Sequence, residues 1–305
     1  MDEVVSPTVA RRRVRLALRE AREAADLTQH DVAEAMEWSL SKVIRIENGD
    51  VSIAPNDLKP LLAFLGIKDR ARVNALIADA RISRTRQHVS WWQQPEFREL
   101  NDPLRRYIEY EAVATEIRSF YIRYLPGPLQ LPEYAAALTG PFVEELPAKK
   151  VDAVIEARRL RREALLSRLG SISYFVVLDE AVFQRSTGGP VVFAAQLREL
   201  LRLADERLAR IRMLPFSLDM PIANNASFDV LSLGRGAMGN DVLYRENGTV
   251  DELIEDRPTI SRHLNRFNQL WQVSTDEADT ITYIGRRIAQ LQATITSGQG
   301  RSDQH

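Results

Sequence analysis

Residues 27–49 contain two short helical patterns, separated by a break at Glu37-Trp38. Thr28 and Ser39 are typical N-cap residues at the starts of these patterns, and Gly49 is a typical C-cap residue after the second. The apolar positions of the two helix faces are Val32, Ala33, Met36, Val43 and Ile46. Helices of fewer than ten residues are not stable alone. The pattern therefore predicts a helix-turn-helix that rests on neighbouring helices and presents its second helix to a DNA major groove.

Three further helical patterns flank this pair. They predict a first helix over residues 11–25, a fourth that ends at Gly66 and a fifth over residues 69–82, after a disordered start at residues 1–9. Five helices in so short a stretch predict an all-α DNA-binding domain over residues 1–82. The start of the first helix carries a cluster of positive charge at Arg11, Arg12, Arg13 and Arg15. Because the helix dipole disfavours cations there, the cluster either binds a phosphate or forms a solvated basic tip.

The composition changes after this domain. Residues 83–103 are polar, then basic, then aromatic, and we interpret them as a linker. Trp91-Trp92 within it either makes a hydrophobic contact with a second domain or stacks on nucleic-acid bases.

Residues 104–295 mix helical and strand patterns and predict an α+β domain with a small, mostly antiparallel sheet flanked by helices. The predicted helices cover residues 104–122, 151–169, 191–208, 259–272 and 275–291, and residues 124–138 contain a Pro-Gly turn followed by a further short helix. The predicted strands cover residues 172–178 and 211–215 and a hairpin of residues 228–233 and 241–245, while residues 250–254 are ambiguous. Residues 296–305 are predicted to be a disordered tail.

The series T-Q-x-x-x-A-x-x-M-x-x-S-x-S-x-V-x-R-I-E-N-G, residues 28–49, resembles the lambda-repressor/Cro-like, Xre-type helix-turn-helix family. The resemblance covers residues 11–67. It implies that Gln29 bonds a DNA phosphate, that base edges are read from the second helix, and that Lys42 and Asn48 lie near the DNA backbone. The full predicted DNA-binding set is Gln29, Ser39, Leu40, Ser41, Lys42, Arg45 and Asn48. Two positions depart from the family pattern, since Ile44 replaces a small polar residue and Glu37 replaces a glycine.

The spacing of the second helix agrees with this assignment. Positions 40, 41, 44 and 45 share one helix face, opposite the apolar pair Val43 and Ile46. The guanidinium of Arg45 has the geometry to pair with guanine O6 and N7, and Leu40 suits a thymine methyl group.

The second domain also resembles a known family. Between residues 90 and 290 the motifs Y-I-x-x-E, P-G-P-L-Q, R-x-x-R-R, L-D-E, G-G-P, M-L-P-F and Y-R-E-N occur in this order. This order resembles the C-terminal domain of actinobacterial antitoxin-like transcriptional regulators. The resemblance implies a small protein, encoded nearby, as a binding partner.

The charge balance indicates how tightly the chain can bind DNA. The chain has a net charge of −1, and residues 1–88 hold 15 Lys and Arg against 13 Asp and Glu. So small an excess predicts weak non-specific binding that becomes tight only when two half-sites are occupied. We therefore expect a homodimer on a palindromic operator.

The sequence gives little support for a dinucleotide, catalytic or metal site. The G-x-G-x-x-G at Gly234–Gly239 leads into a strand pattern and not a helix, so we interpret it as a hairpin loop. The adjacent acids Glu144-Glu145 and Asp179-Glu180 do not converge as catalytic carboxylates must. Four scattered histidines and no cysteine predict no metal site or disulfide, and we expect no cofactor. The arginines at 158–168 either form a solvated helix face or bind an acidic partner or phosphate.

These patterns favour a cytoplasmic, dimeric DNA-binding transcriptional regulator, since no signal peptide or membrane-spanning run is present in the sequence. Its second domain is expected to dimerise and to receive a signal or a small protein. The alternative is an antitoxin-like protein that mainly sequesters a small neighbouring-gene protein and binds DNA for autoregulation. An enzymatic function has no catalytic residue set to support it.

Overall fold

The computed structural model describes residues 6–85, 90–140, 148–218, 226–234, 240–246 and 251–302. The chain forms two compact units, Met1–Ser90 and Trp91–His305. Each unit is described by itself.

The first unit contains the five predicted helices. They are α1 (Pro7–Ala24), α2 (Gln29–Ala35), α3 (Leu40–Asn48), α4 (Pro55–Phe64) and α5 (Arg70–Ile82). Helix α1 begins before the predicted position, because the Ser6 side chain accepts a hydrogen bond from the Val9 amide and Pro7 occupies the first helical position. The disorder predicted for residues 1–9 is therefore wrong from Ser6 onward, and residues 1–5 lie outside the described part.

The apolar faces of these helices meet in one core. Its most buried members include Val14, Leu18, Val32, Val43, Ile46, Leu58 and Leu62. Each short helix of the predicted helix-turn-helix contributes to it, so the tertiary packing supplies the stability that the two helices lack alone.

The second unit is an α+β domain, as predicted. Its helices are α6 (Asp102–Glu111), α7 (Pro132–Thr139), α8 (Ala148–Leu166), α9 (Glu180–Gln184), α10 (Gly189–Asp205), α11 (Arg257–Val273) and α12 (Glu277–Ser302). Its strands are β1 (Glu116–Tyr121), β2 (Ser173–Asp179), β3 (Arg210–Leu214), β4 (Phe228–Ser232), β5 (Asp241–Glu246) and β6 (Asp251–Ile254).

The six strands form one sheet in the order β3-β2-β1-β4-β5-β6. Strand β1 pairs in parallel with β2, and β2 with β3. The pairs β1–β4, β4–β5 and β5–β6 are antiparallel, so the sheet is mostly antiparallel and the predicted fold class is confirmed. The predicted hairpin is the β4–β5 pair; residues 235–239 of its connection lie outside the described part.

The helix predicted over residues 104–122 is wrong in its second half. Helix α6 ends at Glu111, and residues 116–121 form β1 in the middle of the sheet. Ile117, Phe120 and Tyr121 satisfy helical spacing but are also β-branched or aromatic residues that suit a strand. The long-range pairing of β1 with β2 on one side and β4 on the other decides between the two.

The part of the predicted linker from Trp91 onward and most of the predicted tail belong to the second unit. Trp91 and Trp92 pack against a buried cluster that includes Phe97, Leu100 and Ile108, so the interpretation as a hydrophobic contact with the second domain is confirmed. Helix α12 continues to Ser302, past position 296, where we predicted the tail to begin.

The two faces of the sheet are packed differently. One face carries Phe120, Val177, Phe228 and Leu243 against Ile260 and Phe267 of α11. On the opposite face, Asp229 of β4 accepts hydrogen bonds from Ser119 of β1 and from Tyr107 of α6.

Candidate nucleic-acid interface

Both helices of the helix-turn-helix begin with the predicted caps. The Thr28 hydroxyl accepts from the Asp31 amide while the Asp31 carboxylate accepts from the Thr28 amide, which is a complete capping box. The Ser39 hydroxyl accepts from the Lys42 amide at 3.2 Å. These local bonds satisfy amides that a helix start would otherwise leave unpaired.

The end of α3 requires a glycine for two reasons. Gly49 has φ +83°, a left-handed conformation that other residues adopt at a cost. A Cβ at this position would also lie 2.9 Å from Cδ of Arg15 on α1. The chain therefore leaves α3 in a fixed direction, pressed against the first helix.

The turn between α2 and α3 contains a strained residue. Glu37 has φ +55°, which is uncommon for a residue with a side chain. The Xre-type pattern has glycine here, so the departure noted in the sequence falls on a position where glycine is the unstrained choice. The Trp38 amide donates to the Ala33 carbonyl at 2.8 Å and closes the turn.

A buried polar network connects the inward-facing side of α3 to the neighbouring helices. Glu47 is 4% exposed and accepts hydrogen bonds from Arg22 Nε at 2.6 Å and Arg22 Nη2 at 3.0 Å. Gln29 Nε2 donates to the same carboxylate at 2.8 Å. The network therefore joins α1, α2 and α3 through one side chain of the R-I-E-N-G segment.

The opposite face of α3 is open to solvent. Leu40 is 42% exposed, and Ser39, Ser41 and Arg45 are also exposed. The Arg45 guanidinium has no hydrogen-bond or ion-pair partner among the residues that the structure describes. This face thus offers one cation, two hydroxyls and one exposed apolar side chain, while Val43 and Ile46 lie in the core.

Lys42 is oriented differently from Arg45. Its Nζ lies 2.9 Å from Oδ2 of Asp57, in the first turn of α4, and 3.8 Å from the centre of the Trp38 ring. Lys42 is thus engaged within the protein. The periodicity of α3 gave no sign of Asp57 or Trp38, because Asp57 is 15 positions away and Trp38 precedes the helix.

The remaining predicted residues lie around this face. Gln29 begins α2 but its amide nitrogen is used by Glu47, and Asn48 ends α3, where it is partly buried. The basic cluster of α1 is not a solvated tip at Arg12 and Arg15, which are only 2% and 4% exposed. Arg13 lies 4.0 Å from Asp79 of α5.

The second unit contains a buried polar centre of its own. Asp229 of β4 accepts hydrogen bonds from Tyr107 at 3.0 Å, from Tyr121 at 2.9 Å and from Ser119. Burial raises the pKa of Asp229 to about 6, although the bonds from Ser119, Tyr121 and Tyr107 act in the opposite direction. The Tyr107 hydroxyl therefore joins α6 to the sheet, and the hydroxyls of Ser119 and Tyr121 join β1 to β4.

An ion pair lies beside this centre. Arg161 of α8 donates two hydrogen bonds of 2.9 Å to Glu111 of α6, and its guanidinium lies 4.9 Å from the centre of the Tyr107 ring. A Cβ at Gly127, in the P-G-P-L-Q motif, would lie 3.1 Å from Arg161 Nη1. Three of the sequence motifs therefore meet around one buried arginine.

The arginines at 158–168 are mostly paired inside the unit, so neither sequence interpretation describes the whole group. Arg162 bonds Glu199, and Arg168 donates to the carbonyls of Glu111 and Ala114.

Arg158 differs from these neighbours. It donates to the hydroxyl of Thr139, and burial lowers the pKa of its guanidinium, although the charge of Glu246 acts in the opposite direction. No carboxylate lies within ion-pair distance of Arg158 in the described ranges.

The acidic pair Asp179-Glu180 noted in the sequence accepts hydrogen bonds within the second unit. Asp179 caps α9 by accepting from the Ala181 amide, and Glu180 accepts from the Phe216 amide and the Tyr283 hydroxyl. Glu144-Glu145 lie outside the described residues. Within the described part, no group of three or more His, Asp or Glu side chains is arranged to hold a metal ion.

Comparisons with known proteins match both units. The domain of unknown function DUF5753 matches residues 104–286, which is more than half of the chain. A helix-turn-helix domain matches residues 13–76 and supports a DNA-binding regulator. No curated protein and no solved structure matches the chain. In the parts of the chain that the structure describes, no helix is both long and apolar enough to span a membrane.

Proposed function

Because the chain belongs to the DUF5753 family and carries a helix-turn-helix domain, we propose that it is a sequence-specific DNA-binding transcriptional regulator of the Xre type. Proteins of this kind act by binding and need no catalytic residues. We place it in the cytoplasm, where its DNA is.

The single observation that carries the proposal is the two-sided construction of α3. Val43 and Ile46 are buried in the core and Glu47 is hydrogen-bonded beneath the helix, whereas Leu40, Ser41 and Arg45 face outward. A helix held by one face and exposed on the other can enter a major groove without rearrangement.

Each outward residue has a role that suits its chemistry. Arg45 pairs with guanine O6 and N7, Leu40 contacts a thymine methyl group, and Ser41 bonds a base edge. Ser39, Gln29 and Asn48 contact phosphates and fix the register of the helix. Gln29 already donates one amide hydrogen to Glu47, so its phosphate contact uses the second.

We propose that the protein binds a palindromic operator as a homodimer, with the second unit providing the dimer contact. The support is electrostatic, since the first 88 residues carry a net charge of only +2. One such domain has little non-specific affinity, and two linked domains gain from simultaneous binding to both half-sites.

We also propose that the second unit receives a signal or a small protein partner with an acidic group. Arg158 supports this role, because it is desolvated and bonds a hydroxyl where its neighbours bond carboxylates. In an antitoxin-like version of this function, sequestration of that small protein is the main activity and DNA binding is autoregulatory. Arg158→Ala should then abolish co-purification with the neighbouring gene product, while Arg159→Ala, on the exposed side of α8, should not.

The proposal is tested by selecting bound fragments from random DNA with the pure protein, with and without the small neighbour. We expect enrichment of a two-fold symmetric site. Recovery of fragments with no common sequence would contradict specific recognition. A site that is lost only when the neighbour is added would favour the antitoxin-like version.

A further inference from the structure

The two cationic side chains of α3, Arg45 and Lys42, differ in their contacts. Arg45 is exposed and has no partner in the described residues, whereas Lys42 is held between two groups of its own domain. Its ammonium lies 2.9 Å from the Asp57 carboxylate and 3.8 Å from the centre of the Trp38 ring. The side chains of Lys42 and Asp57 are 38% and 42% exposed, so solvent and ligands reach the pair.

A DNA phosphate would compete with Asp57 for this ammonium. Lysine binds phosphate as a point charge, and the ammonium of Lys42 already lies against a carboxylate and a ring face. An exposed pair of this kind is weak enough to be exchanged, but the carboxylate stays beside the lysine as a local negative charge. Asp57 lies in the first turn of α4, where an acid is favoured by the helix dipole, so it is held in place without Lys42.

We infer that Asp57 is an intramolecular competitor of DNA phosphate, which withholds Lys42 from the backbone and lowers the affinity of the domain for DNA of any sequence. The inference rests on the proposed DNA-binding function. As a consequence, the domain discriminates better between DNA sequences. A larger share of its binding energy comes from the contacts of Arg45 and Leu40 to bases, which depend on the sequence.

The effect has a definite size. Each phosphate neutralised by a lysine steepens the slope of log K against log salt concentration by about 0.9 for duplex DNA, which corresponds to about eightfold tighter binding at 0.1 M salt. Asp57→Asn releases Lys42, so it should both steepen the salt dependence and tighten binding. Since phosphate contacts carry no sequence information, the measurement needs only a random-sequence duplex and no knowledge of the operator.

The experiment is a double-mutant cycle on the full chain. Fluorescence anisotropy of a labelled random-sequence duplex is measured between 50 and roughly 200 mM salt, a range over which phosphate contacts dominate, for the unsubstituted protein, Asp57→Asn, Lys42→Gln and the double variant. We expect Asp57→Asn to tighten binding about eightfold at 0.1 M salt and to steepen the slope by about 0.9. In the Lys42→Gln background the same substitution should have no effect on the slope.

Glu34→Gln is the matched control, because it removes one exposed carboxylate from α2 without any contact to Lys42 in the structure. Far-ultraviolet circular dichroism establishes that each variant is folded, and Asp57→Ser provides a second way to remove the carboxylate.

The outcomes are distinct. An unchanged slope in Asp57→Asn, or an equal gain with and without Lys42, would overturn the inference while leaving DNA binding intact. Failure of every protein, Asp57→Asn included, to bind the random-sequence duplex at about 50 mM salt would overturn the inference. The proposed function is overturned separately, when selection from random DNA recovers fragments with no common sequence.

Discussion

Arg22 of α1 and Glu47 of α3 form a bidentate ion pair in the core of the first unit, with Nε to Oε1 at 2.6 Å and Nη2 to Oε2 at 3.0 Å. Arg22 Nη1 also donates to the Leu27 carbonyl at 2.8 Å, so the same guanidinium fixes the connection that leads into α2. The position of α3 therefore depends on a polar bond as well as on Val43 and Ile46.

Removing the carboxylate of this pair should destabilise the first unit strongly. Glu47→Ala leaves the half-buried Arg22 guanidinium with only Glu23 and the Leu27 carbonyl, and Gln29 without its acceptor. Leaving such donors unsatisfied costs about 1–3 kcal/mol. Urea unfolding of the first unit, followed by circular dichroism, measures the change. Arg19→Ala is the control, since Arg19 is more exposed and lies 3.9 Å from Glu47. Equal effects of the two substitutions would contradict the role of the pair.

Glu37→Gly should stabilise the first unit. The left-handed conformation at φ +55° costs a residue with a Cβ about 1 kcal/mol, and glycine adopts it freely. We expect a higher midpoint of thermal unfolding. The matched control is Glu34→Gly in the last turn of α2, which should lower stability by up to about 1 kcal/mol. A loss of stability in both variants would show that the turn is not strained.

The stability of the second unit should fall as the pH rises through the pKa of Asp229. Its folded-state pKa of about 6 is above the ordinary value of 3.8, so the folded state favours the protonated form. That contribution is complete below pH 3.8 and is lost as the pH passes 6. The shift corresponds to about 3 kcal/mol. We expect unfolding free energies between pH 4 and about 7 to decrease more in the unsubstituted protein than in Asp229→Asn.

The comparison uses the pH dependence and not the absolute stability. An asparagine amide cannot accept all three hydrogen bonds that Ser119, Tyr107 and Tyr121 donate, so Asp229→Asn lowers stability at every pH. Parallel curves for the two proteins would contradict the raised pKa.

Sequence reasoning worked where the determining interactions are local. Thr28, Ser39 and Gly49 act on residues within a few positions of themselves, and all three have the predicted capping roles. The face of α3 that holds Leu40 and Arg45 follows from helical spacing alone. These features needed no knowledge of the tertiary structure.

Sequence reasoning failed where the interacting residues are distant from each other in the chain. Residues 116–121 fit a helix by spacing, and only their pairing with β2 and β4 makes them a strand. The arginines of α8 had no visible partners in the sequence because Glu111 and Glu199 lie 50 and 37 positions away from Arg161 and Arg162. The pairing of Lys42 with Asp57 was hidden for the same reason.

The affinity of Arg45→Ala for a selected operator tests most directly whether α3 reads DNA. We expect binding to the operator to weaken by about 1–3 kcal/mol per half-site contact and its sequence preference to relax, while binding to a scrambled duplex changes little. Arg81→Ala, an exposed arginine on α5, should leave the preference unchanged. Unchanged affinity and preference in Arg45→Ala would contradict the assignment of α3 as the recognition helix.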